Sequence, residues 1–318
     1  MRQPRLKPAD QDVFHHCYNR VAGDRYYLPF GDTEKAFFMN LLKRLDIFYT
    51  VDVVAYEIMG NHFHLLLRTS QEVPSPEEVC RRYAAYHRGE RKLSPKSRKC
   101  ARLATQIRDV SYFMKDLSEH FAKWFNRTRP IRRRGSLWAE RFKNTVLEEG
   151  EAVWSCLKYI EMNAVRATIV SDPADYRFGS FGAWSRSGRH PFRENAEKHL
   201  IEALSDSLGI RSLKELRASL RRHFDLVLAL ERGDSPSPSR LPEQEPGELT
   251  RFSTDPMHRV RHWVDGLVIG SETFIAQIVA KARGVEHTER HRLSRSLDPP
   301  QQGSAVLCAY RQLRARAS

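Results

Sequence analysis

Apolar residues along the first 190 positions switch repeatedly between a period of two and a period near 3.6. Val13-Phe14-His15-His16-Cys17-Tyr18-Asn19-Arg20 has strand character and runs into a polar turn at Gly23-Asp24. Asp32-Thr33-Glu34 then supplies an N-cap, and Ala36, Phe37, Phe38, Leu41, Leu42, Leu45 and Phe48 recur at helical spacing. Val51-Asp52-Val53-Val54-Ala55-Tyr56-Glu57-Ile58 and His62-Phe63-His64-Leu65-Leu66-Leu67-Arg68 flank the turn dipeptide Gly60-Asn61, which predicts a hairpin. Val110, Phe113, Met114, Leu117, Phe121, Trp124 and Phe125 form a second helical stripe. Phe142-Lys143-Asn144-Thr145-Val146-Leu147 reads as a fourth strand, and a helix is expected from about Ala152 to Ala167. The order β-α-β-β-α-β-α predicts an α+β fold, a ferredoxin-like or RRM-like antiparallel sheet with helices on one face.

Two segments interrupt this pattern. Residues 71–109 read as a surface insertion, with Pro74-Ser75-Pro76-Glu77-Glu78 capping a short helix before a basic stretch from Arg88 to Lys99. Beyond Pro191 the chain reads as a mainly helical accessory region, with helices at Ala196 to Leu208, Leu213 to Leu230 and Arg259 to Arg283 and a Pro/Ser-rich linker near 233–247. The expected organisation is therefore 1–190 as one domain and 191–318 as a helical appendage.

Composition narrows the class. The chain has 318 residues, 41% hydrophobic and 29% charged, which is ordinary globular usage. No window of about 18 apolar residues exists, and Met1-Arg2-Gln3-Pro4-Arg5-Leu6-Lys7-Pro8 lacks an apolar signal core, so neither membrane nor secretion is expected. Five scattered cysteines without a C-x-x-C spacing suggest neither a disulfide framework nor a cysteine zinc site, and a reducing cytoplasm fits best. The net charge is +14 and the isoelectric point near 9.7, which favours a polyanionic partner such as nucleic acid. Residues 1–190 hold 33 basic and 22 acidic residues and so carry most of the excess.

Three clusters carry candidate chemistry. In His62-Phe63-His64 both imidazoles leave the same strand face, as two ligands of a divalent ion would, or as two half-exposed strand histidines. At helical spacing Tyr159 and Asn163 share a face, so a phenol and an amide oxygen project together; Tyr159 is a candidate nucleophile or a core-edge tyrosine. Arg127, Arg129, Arg132, Arg133 and Arg134 form a basic loop beside Trp124, Phe125 and Trp138, able to hold a strand backbone and stack bases, although the aromatics also fit a packed helix stripe. Arg141 and Lys143 extend that basic set.

These residues resemble a known family, the HUH-type single-tyrosine transposases, and in particular the REP-associated tyrosine transposases. The resemblance spans most of residues 10–190 and rests on Met59-Gly60-Asn61-His62-Phe63-His64-Leu65-Leu66-Leu67, Gly135-Ser136-Leu137-Trp138-Ala139-Glu140-Arg141-Phe142-Lys143, Tyr159-Ile160-Glu161-Met162-Asn163-Ala164-Val165-Arg166-Ala167 and Asp175-Tyr176-Arg177-Phe178-Gly179-Ser180-Phe181. Ala164 stands where the family commonly has proline, and Trp263-Val264-Asp265-Gly266-Leu267-Val268-Ile269-Gly270-Ser271 is similar to a tail segment of longer relatives. The resemblance implies that His62 and His64 bind Mg²⁺ or Mn²⁺ with Asn163 completing the set, and that Tyr159 forms a 5′-phosphotyrosine. It further implies a hairpin-forming, single-stranded DNA substrate, a nucleoid-associated bacterial location and a monomer or homodimer. Two other readings stay open: a non-catalytic nucleic-acid-binding module, for which the expected RRM-type aromatic signature is absent, and a regulatory protein that keeps the fold without transposition.

Overall fold

The computed structural model describes residues 6, 8, 10–24, 26–130, 135–233, 263, 267–283, 295–296 and 307–310. The elements are β1 (Val13–Arg20), α1 (Asp32–Phe48), β2 (Val51–Ile58), β3 (His62–Thr69), α2 (Pro76–Tyr86), α3 (Arg98–Gln106), α4 (Val110–Thr128), β4 (Lys143–Leu147), α5 (Glu151–Glu161), α6 (Asn163–Arg166), α7 (Ser180–Ser187), α8 (Arg193–Asn195), α9 (Ile201–Leu208), α10 (Leu213–Glu231), β5 (Val268–Gly270), α11 (Glu272–Arg283), β6 (Arg295–Ser296) and β7 (Cys308–Tyr310). The strands form one sheet in the order β2-β3-β1-β4-β5-β7-β6. Its first four are antiparallel in the ferredoxin-like order, which makes this an α+β fold.

Alternation along the strands produces two apolar faces. Cys17, Val53, Phe63, Leu65 and Leu67 pack against Phe38, Leu42 and Leu45 of α1 and Phe113, Leu117 and Phe121 of α4. Phe14, Val54, Leu66 and Leu147 face the other way, onto Trp154, Leu157 and Ile160 of α5 and onto Leu204, Leu216, Leu220 and Phe224 of α9 and α10. The second face is thus closed by α5 together with the helices after residue 190. The regions expected on either side of that position share one core.

A β-bulge in β2 decides what the second face carries. The pairing with β3 shifts between Val53 and Ala55, so Val54 and Ala55 both point to the α5 side and the parity of the strand reverses. Tyr56 and Ile58 then face α1, and Glu57 is turned onto the same side as its cross-strand partner His64.

Three sequence expectations change. The helix expected to run unbroken from Ala152 to Ala167 ends at Glu161 and restarts at Asn163, with Met162 between them at φ −91°, ψ 1°. The segment expected as helix from Arg259 is, where described, a strand at Val268–Gly270 paired parallel to β4, followed by a helix from Glu272. The 71–109 insertion, expected at the surface with one short capped helix, is a helical pair packed on the core: Ser75 caps α2 by accepting from Glu78 N at 3.2 Å, and Val79, Tyr83 and Cys100 are buried in the α1 core. Most of the linker expected near 233–247 lies outside the described residues.

Gly150 sets the entry of α5. Its φ is +77°, which disfavours a side chain, and a Cβ there would lie 2.9 Å from Ser207 Oγ of α9. Because Phe224 is fully buried in the core it shares with Phe14 and Tyr159, Phe224→Ala should cost about 3–5 kcal/mol in urea unfolding. Tryptophan fluorescence and circular dichroism should report one shared transition; two resolved transitions would mean that the helices after residue 190 fold on their own.

Candidate active site

The second face of the sheet places a row of polar side chains under α5. Lys143 of β4 pairs with Tyr18 of β1, Tyr18 with His64 of β3, and His64 with Glu57 of β2. Two residues along, Arg20 pairs with His62. His62 and His64 do leave one face, as the H-x-H spacing predicts, with ring centroids 5.3 Å apart. His64 is buried and His62 half-buried.

Hydrogen bonds assign the nitrogens of both rings. His16 Nδ1 lies 2.8 Å from the Trp263 carbonyl, which can only accept, so that nitrogen carries the proton. Burial holds the His16 imidazole neutral, with its pKa lowered to about 4, and its Nε2 is therefore an acceptor. That nitrogen is 2.8 Å from His64 Nδ1, which must donate. In its neutral form His64 then has its lone pair on Nε2. At His62, Nδ1 donates to Asn61 Oδ1 at 2.8 Å, the Asn61 amide being oriented by its own donation from Nδ2 to the Tyr27 carbonyl at 3.1 Å. In its neutral form His62 also has its lone pair on Nε2.

Two imidazoles on one strand face, each with Nδ1 held in a hydrogen bond, fit a divalent ion when neutral, because ligating histidines ordinarily hold their other ring nitrogen in such a bond. Among the described residues no group of three or more His, Cys, Asp or Glu side chains could hold a metal.

The amide of Asn163, the residue expected to complete the set, is held by its nitrogen at the end of α5. Its Nδ2 donates to the carbonyls of Tyr159 and Ile160 at 3.2 and 3.1 Å, and its side chain makes no hydrogen bond to either histidine. In this way the amide caps carbonyls of the last turn of α5, beside the break at Met162. The backbone N–H groups of Asn163 and Ala164 donate to Glu57 at 3.2 and 2.9 Å. Glu57 therefore pins the start of α6 to the sheet. Burial, and then the Glu161 carboxylate, push the Glu57 pKa well above the carboxylate range. Glu161 is raised to about 7 by burial and accepts from Ser180 Oγ and from Phe181 N, the latter at 2.9 Å.

Tyr159 is brought to the histidines. Its ring lies edge-on to His64 at 5.5 Å and to His16 at 5.8 Å between centroids. Trp263 stacks on it at 5.5 Å, and the Arg166 guanidinium sits 4.2 Å from the ring centre while donating to the Tyr159 carbonyl at 2.6 Å. Sequence reasoning missed His16, Tyr18, Arg166 and Trp263. His16 had a signal, since His16 and Tyr18 alternate in β1 as His62 and His64 do in β3. Trp263 had none beyond the tail resemblance.

One residue of the expected basic loop is engaged within the fold. Arg129 pairs with Glu34 at the start of α1 and covers the Phe125 ring at 4.2 Å, so it ties α4 to α1. Arg127 and Arg141 are exposed and Lys143 is half-buried on the histidine side, while Arg132, Arg133 and Arg134 lie outside the described residues. The aromatics follow the packing alternative: Phe125 is buried, Trp124 stacks on Phe37 at 3.9 Å, and Trp138 packs on Phe63 and donates to the Ser118 carbonyl at 2.9 Å.

A scan of family models and a search of curated proteins find no match. Among solved structures, the chain is similar to a REP-associated tyrosine transposase bound to a REP hairpin, at 13% identity and a TM-score of 0.39, over 61% of this chain and 88% of that one. The likeness in fold is distant, and the chemistry of the site rests on its own geometry. No helix among the described residues is long and apolar enough to cross a membrane.

The raised Glu161 carboxyl makes stability pH-dependent. A carboxyl whose folded pKa of about 7 exceeds its unfolded value near 4.5 binds its proton more tightly when folded, so stability falls as pH rises from about 4.5 to about 7 and then levels off. Glu161→Gln should flatten that slope and make the protein more stable than wild type at pH 8, as read from urea midpoints at a series of pH values; an unchanged slope would place the titration elsewhere.

Proposed function

We propose that this chain is a metal-dependent, transposase-type nuclease that cleaves and rejoins single-stranded DNA through a 5′-phosphotyrosine on Tyr159, at hairpin-forming sequences. The observation that carries this reading is the packing of the Tyr159 ring against His64, whose Nε2 lone pair stands on the same strand face as that of His62. The motif resemblance supplies the substrate class. The basic excess of the chain agrees with a polyanionic strand.

His62 and His64 would hold Mg²⁺ or Mn²⁺, which when bound neutralises charge that builds up on a scissile phosphate. Tyr159 Oη attacks phosphorus and the bond from phosphorus to the 3′-oxygen breaks. The phenol loses one proton and the departing 3′-oxygen gains one, so the exchange is proton-neutral. The phosphodiester is conserved as an ester on Tyr159, and a second 3′-hydroxyl reverses the step without an external energy source. His16 holds the His64 tautomer, and Glu57 fixes the α6 segment that carries Arg166 to the back of Tyr159. Tyr159 is only 7% and Trp263 only 3% exposed, so Trp263 must withdraw before a strand reaches the phenol.

The direct test is incubation with a labelled hairpin-bearing strand and Mn²⁺, followed by a denaturing protein gel. A covalent adduct is expected from wild type and none from Tyr159→Phe. DNA binding with no adduct under any divalent ion would leave the binding-module reading. His64→Ala should abolish the adduct while DNA affinity stays within about twofold, as measured by anisotropy.

The role of His16 has its own readout. Loss of a partner that orients a ligand typically weakens a metal site about 10–100-fold, so His16→Ala should reduce Mn²⁺ affinity by that order in calorimetric titration without DNA. Undiminished Mn²⁺ binding in that variant would show that His16 does not orient His64 for a metal.

A further inference from the structure

One large cavity lies away from the histidines. It is a groove of 890 Å³ beside the outer strand β2, with Lys43 of α1, Arg177 and the α7–α8 connection on its walls. A second groove of 510 Å³ adjoins it, the two sharing Arg189, His190 and Arg193, and is bounded on its far side by α10. Gly188, in the left-handed region at φ 71°, ends α7 and turns the chain into Arg189. His190 then accepts the Phe192 N–H at 3.2 Å and packs edge-on to Trp184, which holds the turn in place.

The charge of these grooves is one-sided. Eight basic residues line them, against Asp46 and Glu194 as the acidic ones. Asp46 is withdrawn from solvent, accepts from Val53 N and Asn195, and is raised to about 6 chiefly by burial. Some of the cations have carboxylate partners: Arg177 pairs with Asp32, Arg193 with Glu197, and Arg221 with Asp172 and Asp225. Among the described residues Lys43, Arg186, Arg189, Lys214 and Arg217 have no carboxylate partner, and all but the half-buried Arg217 are exposed. Arg217 packs over Trp184 at 5.8 Å and reaches the Ser185 carbonyl at 3.5 Å, so its guanidinium is held at the groove wall. Cations spaced along a concave wall without internal neutralisation attract a ligand that carries repeated negative charge, and a phosphodiester backbone has that spacing.

The grooves also connect to the histidine hairpin. Phe178, which lines the first of them, accepts from Ile58 N at 3.0 Å, and Tyr176 donates to the Ile58 carbonyl at 2.6 Å, so the Arg177 wall is stitched to the end of β2 that leads into His62. We propose that this double groove binds the phosphodiester backbone of the nucleic acid whose scissile bond is offered to Tyr159. This rests on the nuclease reading for its choice of ligand, and it moves the main electrostatic contact from the Arg127–Arg134 loop to a surface built jointly by α1, α7 and α10.

The test is fluorescence anisotropy of the full chain, without metal, on a hairpin-bearing DNA and on an unstructured strand of equal length, at several salt concentrations. Arg186→Ala, Arg189→Ala and Lys214→Ala combined should weaken binding at least about tenfold near 0.1 M salt and reduce the salt slope by about two, given about 0.7–0.9 per phosphate contact. A larger effect on the hairpin than on the unstructured strand would assign the groove to the stem, and an equal effect to single-stranded backbone. Thermal unfolding should not change, and Arg127→Ala with Arg141→Ala should change the slope less. An unaltered slope in the triple variant, or equal competition by polyglutamate, overturns the groove while leaving adduct formation on Tyr159 to be judged by its own gel. Loss of affinity in the triple variant with no adduct from wild type would keep the groove and remove the nuclease.

Discussion

Everything at the site depends on burying imidazoles on a sheet face without leaving a polar nitrogen unsatisfied. His16 and His64 are each about 1% exposed, and an unpaired buried polar group costs roughly 1–3 kcal/mol. The solution is a directional line in which His64 donates to His16 and His16 to the Trp263 carbonyl. Because the last member can only accept, direction is set from the far end and the His64 lone pair is forced onto Nε2. A residue distant in sequence thus fixes the tautomer of a strand histidine. The same contact carries the Trp263 ring onto Tyr159, so what orients the imidazoles also closes the phenol from solvent.

The second constraint is the pair of buried carboxyls. Glu57 reaches the α5 side because of the bulge at Val53/Ala55, and there it accepts two N–H groups from the start of α6. Glu161 does the equivalent work for α7 through Ser180 and Phe181. Both raised carboxyls disfavour ionisation while their hydrogen bonds order the segments around Tyr159. Such a pair is a weak source of stability and a strong source of position.

Much of the fold was legible because it is written in local periodicity. Apolar spacing located α1, α4 and the β2–β3 hairpin, and alternation placed His62 and His64 on one face. What was not legible depends on features without a local signature. The register shift in β2 looks in sequence like imperfect alternation, and it alone brings Glu57 beside His64. The interruption at Met162 leaves the helical spacing of Tyr159 and Asn163 intact on paper, and the bonds from the Asn163 amide nitrogen to the carbonyls of Tyr159 and Ile160 are not written in that spacing. Arg129 appears in sequence as one more basic loop residue, and only the packing of α4 on α1 reveals Glu34 as its partner. The region after residue 190 reads as an appendage because its helices are amphipathic in the ordinary way; that their apolar side meets Phe14 and Leu66 is a tertiary fact.

Charge illustrates the same limit from the other direction. A run such as Arg127 to Arg134 draws attention because its members are adjacent in sequence, but adjacency concentrates repulsion as readily as it builds a site, and one member is spent on an ion pair. Lys43, Arg189 and Lys214 are far apart in the chain and converge only because α7 and α10 fold back over the edge of β2. Cations gathered by the fold on a concave wall act on a ligand together. The residues that close the second face of the sheet therefore do two jobs: their apolar sides bury the scaffold of the histidine site, and their basic sides form a wall that begins where the histidine hairpin ends.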